Sequence, residues 1–360
     1  MLWSPSPAAY VIDTLIGAFA IGLSVLVPMM PGMAHHMVML KPGPEVPPGW
    51  TYNPSSWHQR APLIGLAIVG WFISRYLAAV QLGYIDRAWE PLFGEGTQLV
   101  LHSDVSRAWP ISNAGFGAAA YTFEALMGFM GTKSRWRTMP WMVTFFGILV
   151  VPLGATHLIL VVLQPVLVGH WCTLCLAAAI VMLVMVPLAV DEVVAMCQFM
   201  ARAVREGRPF WRTFWVGGTL PKQGEDRRTP RFGSPLAPMI TATVWGVSLP
   251  WPLVVTMLLG LWLIVAPDFL GTMKPAADSS RLAGALVITI AAVATAEVTR
   301  AARFFNVLLA LWVAGAPWLV AEESALGTVN ALIVGLLLIP MCIPRGIVRE
   351  RYGGWDRYVV

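Results

Sequence analysis

Two cysteines three positions apart open the stretch GHWCTLC, with Cys172 and Cys175 at the head of an apolar run long enough to span a membrane. That spacing puts the sulfurs about one helical turn apart, close enough to bridge reversibly. Free amides and the positive end of the macrodipole at a helix N-terminus favour a thiolate, drawing a cysteine below its free value of about 8.5. Thiolate is the form that attacks a disulfide or gives up electrons, so the chemistry on offer is dithiol–disulfide exchange. A zinc site would need two further soft ligands. The only other cysteines, Cys197 and Cys342, stand alone near the expected cytoplasmic ends of their helices and are read as inert thiols. His170, beside the pair, either adds positive potential when protonated or is a hydrogen-bonded interfacial residue.

The elements that position this pair follow from composition. Of 360 residues, 57% are apolar and 12% charged, where a soluble domain carries about 25% charged residues. With 17 Trp and a mean hydropathy of +0.68, this excludes an ordinary water-soluble enzyme and a disordered chain. Four cysteines cannot form a covalent scaffold for a chain of this length. Crossing roughly 30 Å of hydrocarbon takes about 20 apolar residues, and about nine segments qualify: near 10–30, 62–84, 114–131, 139–164, 171–190, 250–270, 281–299, 303–320 and 327–344. Uninterrupted apolar runs exclude the alternating pattern of a barrel, so the expected fold is all-α, a polytopic membrane protein.

The net charge of +5 comes from basic residues gathered in connecting segments, which report orientation and give no reason to expect a nucleic-acid partner. Residues 191–236 carry Arg202, Arg205, Arg208, Arg212, Lys222, Arg227, Arg228 and Arg231, which the positive-inside rule places in the cytoplasm. Alternation then puts Lys133, Arg135 and Arg137 inside, Arg300 and Arg303 inside, and the C-terminal tail inside. Residues 31–61 fall inside as well, and 1–9 outside. No basic residue precedes the first apolar run, so a cleaved signal peptide is not expected. The expected organisation is an N-terminal helix and Pro-rich connector over 1–61, a bundle over 62–200, a basic cytoplasmic linker over 201–236, and a second membrane domain over 237–360.

In that second domain LLGLWLIVAPDFL at 258–270 aligns with LLALWVAGAPWLV at 308–320, an offset of 50 residues with Leu, Trp and Pro in register. The unit is a transmembrane hairpin repeated in tandem. This half resembles the SPW-repeat membrane family, and its ionisable residues, such as Glu297, lie near helix ends. It reads as a structural or assembly module. Residues 62–190 resemble the vitamin K epoxide reductase family. The matching features are a spanning helix, the outer segment GTQLVLHSDVSRAWPISNAGFGAAAY at 96–121, two more helices, and WCTLC opening the fourth. The resemblance implies a four-helix bundle holding a quinone beside the Cys-x-x-Cys, with electrons supplied by a thioredoxin-like thiol partner on the outer face. It implies that Cys175 faces the quinone and Cys172 exchanges with the donor, and that Ser103 and Asn113 lie near the quinone oxygens. Trp171 and Trp109 are candidate ring-stacking neighbours.

The sequence also departs from that family. Where a loop cysteine follows the glycine that here is Gly96, this chain has Thr97, and no cysteine precedes Cys172. The aromatic hydroxyl that some members carry one turn beyond the pair is replaced by Ala179. The internal relay is therefore missing. Two readings follow: a quinone-dependent thiol oxidoreductase whose Cys172 meets its donor directly, or a non-catalytic subunit that keeps the fold and binds a quinone, metal or partner. Residues 29–39, MMPGMAHHMVM, offer Met33, His35, His36 and Met37 as soft donors of the kind copper(I) or haem iron takes. Methionine is equally ordinary apolar filler, and no metal is expected. Arg75 and Glu124, on neighbouring spans, are expected either to pair and fix helix register or to serve a proton path. The expected location is the cell's inner (cytoplasmic) membrane, crossed several times, with the C-terminus cytoplasmic.

Overall fold

The computed structural model describes residues 43–108, 112–220, 225–320 and 324–359, together with Leu15 and Phe19. Among these the chain is helical and forms no sheet, only two isolated bridges, Trp50 with Tyr352 and Val247 with Ala296. Among the helices are α1 (Trp57–Gln81), a short α2 (Gly96–Leu101), α3 (Asn113–Phe129), α4 (Pro140–Val168), α5 (Thr173–Arg205), a short α6 (Phe210–Val216), α7 (Trp251–Leu270), α8 (Ala276–Val293), α9 (Phe305–Leu319) and α10 (Ala325–Cys342). Seven spans are long and apolar enough to cross a membrane: α1, α4, α5, α7, α8, α9 with its preceding turn from Glu297, and α10. α3 has 17 residues, about 26 Å of helix, which is slightly short of the hydrocarbon thickness. The expected span at 10–30 lies outside the described residues, so a count of nine is not reached here.

Serine opens three of these helices, as the need to satisfy unpaired N-terminal amides demands. Ser56 accepts from the Gln59 amide, Ser112 from Gly115 and Ser324 from Gly327. Cys172 takes that role for α5, its sulfur accepting from the Cys175 amide at 3.1 Å. α4 contains two π-helical turns, Leu149–Leu153 and Gln164–Val168, each holding a proline (Pro152 and Pro165). A proline cannot supply its amide to the ladder, and a widened turn absorbs the defect.

In the first half α1, α3, α4 and α5 pack into one bundle around Leu63, Tyr121, Phe146, Met182 and Val186. In the second half α7 packs on α8 and on α10, and α9 on α10 and on α8, so the duplicated hairpins are related by a local two-fold. Backbones approach closely at Gly260 against Gly284, and Gly335 does the same against Ala310. Trp262 donates to Asn330 at 2.7 Å, and its repeat-mate Trp312 donates to Ser279 at 3.1 Å, each reaching into the other hairpin.

One end of the molecule gathers the polar connectors. Tyr52 donates to Asp191 (2.7 Å), Tyr352 to Glu297 (2.9 Å), and Arg228 binds both oxygens of Glu350, which also accepts from Thr51. Arg135 clasps Glu192 through two bonds of 2.6 Å, with side-chain exposures of 0% and 3%. Burial, then the neighbouring Asp191 and Glu297 charges, push the Tyr52 and Tyr352 hydroxyls above the ordinary phenol range, so both remain protonated donors. Connector, first bundle, linker, second domain and tail thus meet on one face. The expected Arg75–Glu124 pair is absent: Glu124 is buried with neither oxygen hydrogen-bonded, and Arg75 has no ion-pair partner among the described residues.

Candidate functional site

At the opposite end, Cys172 and Cys175 are joined as a disulfide, with Cα atoms 5.3 Å apart. The two sulfurs have different surroundings. Cys172 is fully buried, packed among Leu77, Val80, Val100 and Leu101. Cys175, one turn into α5, lines a pocket that encloses about 690 Å³ of empty space, part of it open to the surroundings.

Four segments build that pocket. α1 contributes Ser74 and Leu77, the outer segment Val100, Leu101 and Ser103, the start of α3 Asn113, and the last turns of α4 His157, Val161 and Gln164. Gln81, at the end of α1, fixes the frame. Its amide donates to Ser106 (2.6 Å), while its oxygen accepts from Ser112 (2.6 Å) and the Ala114 amide (3.3 Å). The outer segment and the entry to α3 are therefore held against α1. Gln164 accepts from the Cys172 amide at 3.0 Å, which ties the widened end of α4 to the cysteine turn.

Of the residues singled out from sequence, Cys175, Ser103 and Asn113 share this one pocket. The Ser103 hydroxyl is engaged locally, donating to the Val100 carbonyl at 2.7 Å. Asn113 makes no side-chain hydrogen bond among the described residues and so has its amide free toward the pocket. Trp171 is half-buried and does not line the pocket; its carbonyl lies against Gly96, where any side chain would overlap it. Trp109 lies outside the described residues, as do Met33, His35, His36 and Met37. Among the described residues no three His, Cys, Asp or Glu side chains gather in a way that could hold a metal. The walls suit an aromatic ring with polar edges: aliphatic side chains line most of the pocket, and Asn113, Ser103, His157 and Gln164 supply a few polar groups.

Sequence reasoning missed Glu90. Its carboxylate accepts from the Thr173 amide (3.0 Å), the Thr173 hydroxyl, the Thr97 hydroxyl (2.5 Å) and the amides of Leu92 and Phe93 (3.1 and 3.2 Å). An anion at the first turn of α5 is where the helix dipole favours one. Thr97, the residue standing in place of a loop cysteine, is thereby fastened to the cysteine turn through a carboxylate. Partial burial pushes the Glu90 carboxyl up, but the hydrogen bonds from Thr173, Thr97 and Leu92 outweigh it and hold the group at about 2, against 4.5 unperturbed. A depressed carboxyl stabilises the closed arrangement fully above its ordinary value, and that contribution fades as pH falls from about 4.5 toward 2. No local signal singles it out, since Glu90 is one of four acids between α1 and α3, with Asp86, Glu95 and Asp104.

Hydrogen bonds to a charged group are worth about 1.5–3 kcal/mol each, so Glu90→Ala is expected to free the outer segment. In reduced protein near neutral pH, alkylation of Cys172 by a membrane-impermeant maleimide, read by peptide mass mapping, should rise roughly tenfold or more. An unchanged rate would mean that something other than Glu90 keeps Cys172 covered.

Residues 61–190 match the model of the Vitamin K epoxide reductase family, and residues 250–343 match that of the SPW repeat domain. No curated protein and no solved structure matches the chain.

Proposed function

We propose that this joining of a vitamin K epoxide reductase family domain to an SPW repeat domain is a membrane thiol–quinone oxidoreductase. Its electrons enter at Cys172 and leave at Cys175. The observation that carries the reading is the placement of one sulfur of the pair in the wall of a largely apolar pocket, with Asn113 and Ser103 in the same wall. A thiol of a thioredoxin-like partner, as thiolate, attacks the Cys172 sulfur; the Cys172–Cys175 bond breaks and Cys175 departs as thiolate. The partner's second thiol then releases Cys172 as a thiol, leaving the partner oxidised. A quinone in the pocket would accept the two electrons and two protons given up as Cys172 and Cys175 rejoin. Asn113 orients a ring oxygen through its unpaired amide, Ser103 lies beside it in the same wall, and the aliphatic wall excludes water.

With no loop cysteine to act as intermediary, the partner must reach Cys172 directly, and the Glu90-held outer segment has to move aside first. The face carrying the buried charge network is assigned to the cytoplasm, from its basic residues, and the cysteine end to the outer leaflet of the inner membrane. The C-terminus is then cytoplasmic, and the SPW-like half serves as an assembly module.

The test is thiol trapping of the full chain in intact membranes. The fraction of Cys172 and Cys175 that can be alkylated should rise when the quinone pool is reduced or depleted, and fall when it is re-oxidised. A pair that stays reduced under every oxidant would overturn the proposal in favour of a non-catalytic subunit, in which Ser at both positions leaves the phenotype and assembly intact.

A further inference from the structure

A second concavity lies at the other end of α5, and the redox reading makes no use of it. It encloses about 1150 Å³ of empty space, part of it open to the surroundings, and takes walls from α5, from Trp136 and from the C-terminal tail. Arg202 and Arg205 of α5 and Arg357 of the tail all line it, with Trp136, Trp355 and Tyr358 as aromatic walls, and no acidic side chain lines it. Arg202 bonds Glu206 at 3.0 Å. Among the described residues, Arg205 and Arg357 have no ion-pair partner, and the Arg357 guanidinium lies 4.7 Å from the Tyr358 ring centre.

The level of this cavity relative to the bilayer follows from helix length. α5 has 33 residues, about 50 Å of helix, against roughly 30 Å of hydrocarbon. Its last turns, which carry the two arginines, therefore pass out through the head-group layer. α6 follows at once and leaves Phe210, Trp211 and Trp215 exposed at 46%, 69% and 48%, an aromatic belt of the kind that sits at that depth. Uncompensated guanidiniums in a concave site at head-group level match a phosphate oxyanion, which they bind through paired N–H donors. The tryptophan walls suit the glycerol and first methylenes beneath it.

We propose that Arg205 and Arg357, with Arg202 beside them, form a binding site for a phosphate-bearing anion, supplied by the head group of an anionic phospholipid such as phosphatidylglycerol. The site joins the end of the first bundle to the tail, so occupancy would also fasten Trp355 and Tyr358 in place.

The experiment uses the full chain in neutral detergent, with phosphatidylglycerol and phosphatidylcholine titrated in parallel and bound lipid counted by native mass spectrometry. Wild type should retain phosphatidylglycerol in preference to phosphatidylcholine. In the double variant Arg205→Gln/Arg357→Gln that retention should fall roughly tenfold or more. Arg227→Gln/Arg351→Gln removes the same charge from exposed positions outside the cavity and should leave it unchanged. All four arginines are exposed, so both variants should fold, which the melting profile checks. If millimolar inorganic phosphate displaces the lipid from wild type but has no site in Arg205→Gln/Arg357→Gln, the anion site stands and its source is soluble phosphate. Equal loss in both double variants, or no preference for either anion in wild type, would overturn the proposal. None of these readouts depends on the cysteines, so the result is independent of whether the redox reading survives.

Discussion

Cys175→Ser should reduce dithiol-driven quinone reduction by the purified protein to the uncatalysed background, a fall of about a thousandfold or more. The hydroxyl that replaces the thiol neither ionises near neutral pH nor forms a bond to Cys172, so no two-electron store remains. The substitution is nearly isosteric in the wall of an open pocket, so quinone binding and folding should survive. That separates chemistry from stability. Cys197→Ser is the matched control, since Cys197 lies near the far end of α5 in the arginine-lined cavity. It should retain full activity. Quinone absorbance with dithiothreitol as donor reads both rates, and equal rates for wild type and Cys175→Ser would end the mechanism.

The largest expected stability effect belongs to Glu192. Its carboxylate holds Arg135 by two 2.6 Å bonds and accepts from the Ser55 hydroxyl. The same guanidinium donates to the carbonyls of Met127, Gly128 and Met130, and Arg60 donates to Gly128, Met130 and Gly131. Two buried cations therefore share one end of α3, and both draw compensation from Glu192. Glu192→Ala removes it and should cost about 3–5 kcal/mol. Unfolding of such a protein is not freely reversible, so the readouts are the apparent melting temperature and the monodisperse fraction after extraction. The apolar pair Arg135→Met/Glu192→Leu should recover only part of the loss, because it removes Arg135 together with its partner but leaves Arg60 buried without the Glu192 charge. A melting profile of Glu192→Ala matching wild type would show the ion pair to be dispensable.

How far the sequence discloses this molecule depends on the range of the interaction concerned. Hydropathy places α1, α4, α5 and the four helices of the duplicated half because burial in lipid is a local requirement of each segment. The cysteine pair is legible for the same reason, since a helix N-terminus forms from neighbouring residues. Contacts that close over long separations are not legible. Glu90 and Thr173 lie 83 residues apart, and Arg135 and Glu192 lie 57 apart. Arg135 and Arg137 show this most clearly. In the sequence they are cations in a cytoplasmic loop, counted toward orientation. In the structure both are buried, Arg135 on Glu192 and Arg137 on the carbonyls of Pro44 and Gly218. The proposed pairing of Arg75 with Glu124 failed for a related reason: proximity of helices fixes neither the rotation nor the depth of a side chain.

The tail carries a consequence for the order of assembly. The Glu297 carboxylate receives the amides of Arg349 and Glu350 and the hydroxyl of Tyr352, and Gln198 donates to the Tyr352 carbonyl. Every described membrane helix is complete by Cys342, so the hydrophobic part of the molecule can be inserted while these acceptors still await partners. Only when residues 349–352 leave the ribosome can the polar end close. Closure of this polar face thus waits on residues made after the last described membrane helix, so insertion of the second domain precedes completion of the network that ties it to the first bundle.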